Sequence, residues 1–278
     1  MPLSKLKNLA LLILLLANLC LLGILIPDRM AARQEAADLR QSVSDLCAAA
    51  EVRLDPDLVP DTVSLYALEL GEDSQADRQT VAALLGEGVS VQDDSTRYLS
   101  SYHAENGQCS MGRDGSFRAQ LENQPFSRDL SASARRTLQA MGFDCWTLTG
   151  PERLRAGVFT VRAGQSVLGV PLFSQGLTLT YSNNSLTAVE GEFYPVGASL
   201  TRISDAACIS AADALVAFLS VRLELGWMGS AITGMTQGYL RSETASAATV
   251  HLTPVWLLQT DTGNFYVNGL TREVSAAD

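Results

Sequence analysis

The chain has 278 residues, 47% of them hydrophobic, and a formal net charge of −10. An acidic chain speaks against nucleic acid and anionic lipid headgroups as partners. With two histidines and five cysteines but no CxxC spacing, it also speaks against a zinc site.

The amino-terminal end is the strongest signal. Lys5 and Lys7 precede an uncharged apolar run of 18 residues from Leu9 to Ile26. About 20 residues at ~1.5 Å each cross the hydrocarbon, so residues 9–26 are expected to form a transmembrane helix. Positive charge ahead of the span puts residues 1–8 in the cytoplasm and the rest outside it. A cleaved signal peptide is the rival reading, but its apolar core runs to only ~7–15 residues. Cys20 lies too deep in the run to mark a lipid-attachment site. Asn18 in mid-span is costly in lipid unless it bonds another helix, so Asn18 and Gly23 are the expected partner contacts there.

From Pro27 to Asp278 the chain carries 18 basic residues against 30 acidic, a charge of −12. Ala32, Ala36, Leu39, Val43, Leu46 and Ala50 are spaced 4, 3, 4, 3, 4, a heptad seam. Residues 27–55 therefore read as a helical stalk, with Leu39, Val43 and Leu46 as candidate partner contacts. The alternative is an amphipathic helix folded onto its own domain. Pro56 and Pro60 end it. A strand at 65–70 and a helix at 74–85 follow. Further strands are expected at 89–91, 98–105, 108–111 and 117–121, with turns at Asn106-Gly107 and Asp114-Gly115. Asp129 opens a helix that Gly142 stops.

Gly150-Pro151 reads as a boundary between lobes at 56–150 and 151–278. Beyond it, strands are expected at 158–163, 166–173, 177–181 and 187–193, with a turn at Ser182–Ser185. A helix follows, with Ala206, Ile209, Ala212, Leu215, Val216, Leu219 and Leu223 on one face and Gly226 at its end. Strands at 232–240, 249–258 and 264–270 close the chain, the last pair turning at Asp261-Thr262-Gly263. The expected class is α+β: a transmembrane helix, a stalk and two lobes of antiparallel sheet with packed helices.

No catalytic, cofactor or metal motif stands out. The G-x-S-x-G, H-E-x-x-H and phosphate-loop patterns are all missing. His103 and His251 each sit in an alternating strand. Asp93-Asp94 and Glu190/Glu192 read as solvated pairs, and Cys47, Cys109, Cys145 and Cys208 as small buried thiols. The carboxy-terminal stretch Thr253-Pro254-Val255-Trp256, then Tyr266-Val267-Asn268, reads as an apolar hairpin. In it Trp256 and Tyr266 supply buried area, and Pro254 marks an edge or a strand start.

Both ends resemble the YycI/YycH family. The start is similar in Leu3-Ser4-Lys5-Leu6-Lys7 running into a Leu-rich span containing Asn18. The end is similar in Pro254, Trp256, Tyr266 and Asn268, with Thr271-Arg272-Glu273-Val274 in place of a T-G-x-V close. The terminal motif is also similar to PepSY-type domains. The resemblance implies a membrane-anchored accessory protein that binds and regulates WalK, a two-component sensor histidine kinase, together with a paralogous accessory protein. It implies no catalysis. An anchored PepSY-like inhibitory or envelope-binding module is the alternative, and an envelope hydrolase using His103 or His251 is a third reading.

Overall fold

The computed structural model describes residue 14 and residues 37–71, 74–94, 99–125, 129–173, 176–195, 200–242 and 250–277. The span at 9–26, with Asn18 and Gly23, lies outside the described residues except for Leu14, which is helical. So do Ala32 and Ala36. Among the described residues no helix is long and apolar enough to cross a membrane.

The class is α+β with mostly antiparallel sheets. Helix α1 covers residues 37–49. Strand β1 (Arg53–Leu54), a single 3-10 turn (Pro56–Leu58) and β2 (Tyr66–Leu70) follow. Next come α2 (Ser74–Leu85), β3 (Ser90–Asp94), β4 (Leu99–Ala104), β5 (Gly107–Gly112), β6 (Ser116–Pro125) and α3 (Leu130–Ala140). The middle of the chain supplies β7 (Cys145–Arg155), β8 (Val158–Val167), β9 (Val170–Pro171), β10 (Leu177–Ser182) and β11 (Ser185–Glu192). The last part supplies β12 (Leu200–Ala207), α4 (Ala211–Val221), β13 (Ala231–Ser242), β14 (Val250–Thr260), β15 (Asn264–Asn268) and β16 (Val274–Ala277).

These strands form two large sheets. One has nine strands, in the order β3-β4-β5-β6-β11-β10-β8-β7, with β9 on β8. Its buried face packs α2 and α3 through Val81, Leu85, Ala134 and Leu138 against Phe117, Leu177, Leu179 and Val189. The other has seven strands, in the order β1-β13-β14-β15-β16, with β2 between β12 and β14. Its core takes Val43 and Cys47 from α1 and Leu215 and Phe218 from α4.

This partition corrects the expected lobes at 56–150 and 151–278. The nine-stranded sheet is built wholly from residues 90–192, and the seven-stranded one from chain on either side of it. The reason is long-range pairing: Leu68 and Leu70 of β2 sit opposite Leu252 and Val250 of β14. Gly150-Pro151 falls inside β7, which pairs with β8 on both sides of it, at Thr149–Arg162 and Glu152–Thr160. As the sheet's edge, β7 tolerates a proline that cannot donate to a ladder.

Two glutamines pin irregular chain where no strand is present. Gln165, 1% exposed, donates to the Tyr194 carbonyl and accepts the Tyr194 N–H at 3.0 Å. Gln237 does the same for Val63, at 2.8 and 2.9 Å. The sheets also meet at Gly238, where a Cβ would strike the Phe173 ring. Gln165→Ala orphans two backbone groups of buried Tyr194, and about 2–4 kcal/mol is expected to be lost. Gln237→Ala, at an exposed bond, is expected to cost about 1 kcal/mol. Urea midpoints of the two variants check this order, and equal losses would contradict it.

The carboxy-terminal motif is structural, with two corrections. Trp256 is fully buried and donates its indole N–H to the Ile209 carbonyl at 3.0 Å. Tyr266 lies on the opposite face of the sheet, half-buried, with its ring 5.7 Å from Phe173. Pro254 is in the middle of an interior strand rather than at an edge or start. It fits because one side of β14 changes neighbour there: β2 pairs up to Leu252 and β15 from Val255. The Pro254 carbonyl takes the Gly269 N–H at 2.8 Å, so its missing N–H faces that same notch. Asn268 organises the turn into β16, its side chain accepting the N–H groups of Leu270 and Thr271.

The helix expected from Ala206 starts later. Ala206 belongs to β12, and Ser210 caps α4 by accepting the Asp213 N–H. Asn183 and Asn184, at φ +52° and +62°, make the expected β10–β11 turn. At the β4–β5 hairpin the turn falls on Glu105-Asn106, and Gly107 enters the strand where a Cβ would strike the Gln120 carbonyl.

Candidate functional site

The first helix is the element on which the expected partner contacts converge, so its surroundings decide what those contacts can do. Helix α1 does not stand free. Val43 is 3% exposed and Cys47 fully buried, and Ala50 packs against the same core. Leu39 and Leu46 remain 44% and 41% exposed. At about 100° per residue, the buried stripe runs through Val43, Cys47 and Ala50. Leu39 and Leu46 border one side of that stripe; Arg40, Ser44 and Ala48 border the other. The expected seam is therefore split. Val43 belongs to the protein's own core and is closed to a partner, whereas Leu39 and Leu46 are open.

Polar contacts clamp both ends of the helix. Near its start, Arg40 donates Nε–H to the Val59 carbonyl at 3.1 Å and Nη2–H to Asp61 at 2.7 Å. Asp61 is largely in solvent, so the ion pair adds little beyond the carbonyl bond. At the other end, Arg222 reaches from the end of α4 to the Ala50 carbonyl at 3.0 Å. Burial pushes the Cys47 thiol pKa up, and the Arg222 charge partly offsets this. Glu51, at φ +60°, turns the chain from α1 into β1.

On the Ser44 and Ala48 side an open groove of about 1010 Å³ lies between α1, β1 and the start of β13. Its floor is apolar, with Val52, Leu54 and Ile232, and its rim carries Glu51, Arg53, Asp55 and Asp261. The Ser230 N–H, with its hydroxyl, holds the Asp261 carboxyl below the usual carboxylate range.

A second exposed apolar feature escaped the sequence reading. After α4, Leu223 and Met228 are 75% and 87% exposed, with Leu225 between them. This loop is anchored at one residue. Trp227 is buried against Phe218, bonds Thr260 through its indole N–H at 3.0 Å, and returns its backbone N–H to the Arg222 carbonyl. Periodicity put Leu223 on the helix's buried face, but α4 ends at Val221 and the side chain turns outward.

The two histidines lie in different sheets. His103 is exposed in β4 between Ser90 and Gln108. His251 Nε2 is 3.0 Å from Glu69, each about a third exposed. The nearby Ser242 hydroxyl donates to the His251 backbone carbonyl, not to the ring. Cys47, Cys109 and Cys208 are buried free thiols, and Cys145 is a half-buried one. Among the described residues no three His, Cys, Asp or Glu side chains gather to hold a metal ion. No protein-family profile, curated protein or solved structure matches the chain.

Proposed function

We propose that this chain is a membrane-anchored, extracytoplasmic accessory protein that regulates a two-component sensor histidine kinase through its span and the adjoining helix. The observation that carries the reading is the docking of α1. The helix that follows the apolar run is fastened to the folded body by Val43, Cys47 and Arg40, yet keeps Leu39 and Leu46 exposed. A partner touching the span and these leucines would grip the ectodomain as well. Contacts that differ between two kinase states would then shift their populations.

Arg272 stands where the similar family often has Gly, and it adopts φ +66°, a conformation that favours glycine. Its side chain lies 3.2 Å from Asp213 at the start of α4.

Asn18→Leu, and separately the pair Leu39→Asp with Leu46→Asp, tests the proposal by cross-linking in native membranes. Each is expected to lower recovery of a histidine kinase about fivefold, the equivalent of ~1 kcal/mol of interhelical contact. Undiminished recovery, or recovery of cell-wall enzymes alone, would sink it.

A further inference from the structure

We infer that the irregular segment 59–64 is a coupling strap that ties α1, through Arg40, to the start of α4 and to β13. No strand or helix holds this segment. It is fixed instead by side chains from three directions. Arg40 of α1 binds the Val59 carbonyl and Asp61. Thr62 Oγ1 accepts the N–H of Ala211, the first residue of α4, at 3.3 Å. Gln237 of β13 takes both backbone groups of Val63.

The Ala211 N–H is one of the end groups a helix cannot satisfy within itself, so the strap completes α4. Arg222 closes the circuit by bonding the last turn of α1. Helix α4 is thus linked to α1 at both ends, once through the strap and once directly. A displacement of α1 is passed to α4 and to the exposed Leu223–Met228 loop behind it. Each link is one or two hydrogen bonds, weak enough for a partner on α1 to open. The biological use of this device rests on the anchored-regulator reading; the coupling itself does not.

Hydrogen exchange on the full chain in nanodiscs tests the coupling without any partner. Arg40→Ala is expected to speed exchange at the Val63 and Ala211 amides about tenfold and to leave the α3 amides unchanged. Thr62→Val should speed Ala211 alone, and adding Arg40→Ala to it should produce no further gain at Ala211. Asp61→Asn, at a side chain 82% exposed, is a milder variant that keeps the fold and should give a smaller change of the same pattern. The inference is overturned if Arg40→Ala affects only amides 38–44, or if its effect at Ala211 persists undiminished in the Thr62→Val background. Neither result depends on whether a kinase is recovered, so the two proposals fail separately.

Discussion

Trp256→Ala is expected to lower stability by about 3–5 kcal/mol, the range for removing a large aromatic from a core. Trp256 is fully buried in β14, beside Gln237 on β13 and Val267 on β15. Two losses add. The indole volume becomes a cavity, and the Ile209 carbonyl loses its donor just ahead of α4. Such a loss is a large share of the ~5–15 kcal/mol that keeps an ordinary domain folded. Trp256→Phe separates the terms, since it keeps most of the volume but not the hydrogen bond; about 1–2 kcal/mol is expected for it. Urea unfolding followed by circular dichroism gives both values. If the Phe variant is as unstable as the Ala variant, the bond rather than the packing dominates. If neither is destabilised, Trp256 does not hold this core together.

Much of this fold could be read where one face of an element is buried and the other wet. The strands β10, β13 and β14 alternate or run apolar because their cores demand it, and they lie where expected. The helices α2 and α3 were marked by their end signals. The missed strands are those without a strong buried stripe. Nearly every residue of β7 and β12 is exposed, and β16 is a short edge of small residues. Partition into lobes failed for a different reason. Nothing local in Leu68-Glu69-Leu70 says that its partner lies beyond residue 249. At the site, the periodicity found α1 but put its buried stripe on the heptad seam, whereas Cys47, read as a buried thiol, lies off that seam and turns the stripe toward itself. Arg40 lies off that seam, and only the fold brings it to the Val59 carbonyl and Asp61.

The corrected phase of α1 predicts a sharp contrast between neighbouring positions. Val43→Asp places a carboxylate at a site 3% exposed, without a partner, and is expected to undock the helix at a cost above about 3 kcal/mol. Leu46→Asp, at a site 41% exposed, is expected to cost less than about 1 kcal/mol. Cys47 reports the difference directly, because it lies fully buried on the inward face of α1. In the parent protein and in Leu46→Asp, iodoacetamide should leave it unmodified; in Val43→Asp it should be alkylated. Cys109 serves as the internal control, its thiol pushed up to about 12 by burial and, to a lesser degree, by the charge of Asp77. Alkylation of Cys47 with Cys109 still protected means that α1 has come away from a folded body. Alkylation of both means that the whole chain has unfolded and that α1 is integral to the core rather than fastened onto it. If Leu46→Asp exposes Cys47 as fully as Val43→Asp does, the helix packs through the heptad seam after all, and Leu46 is not open to a partner.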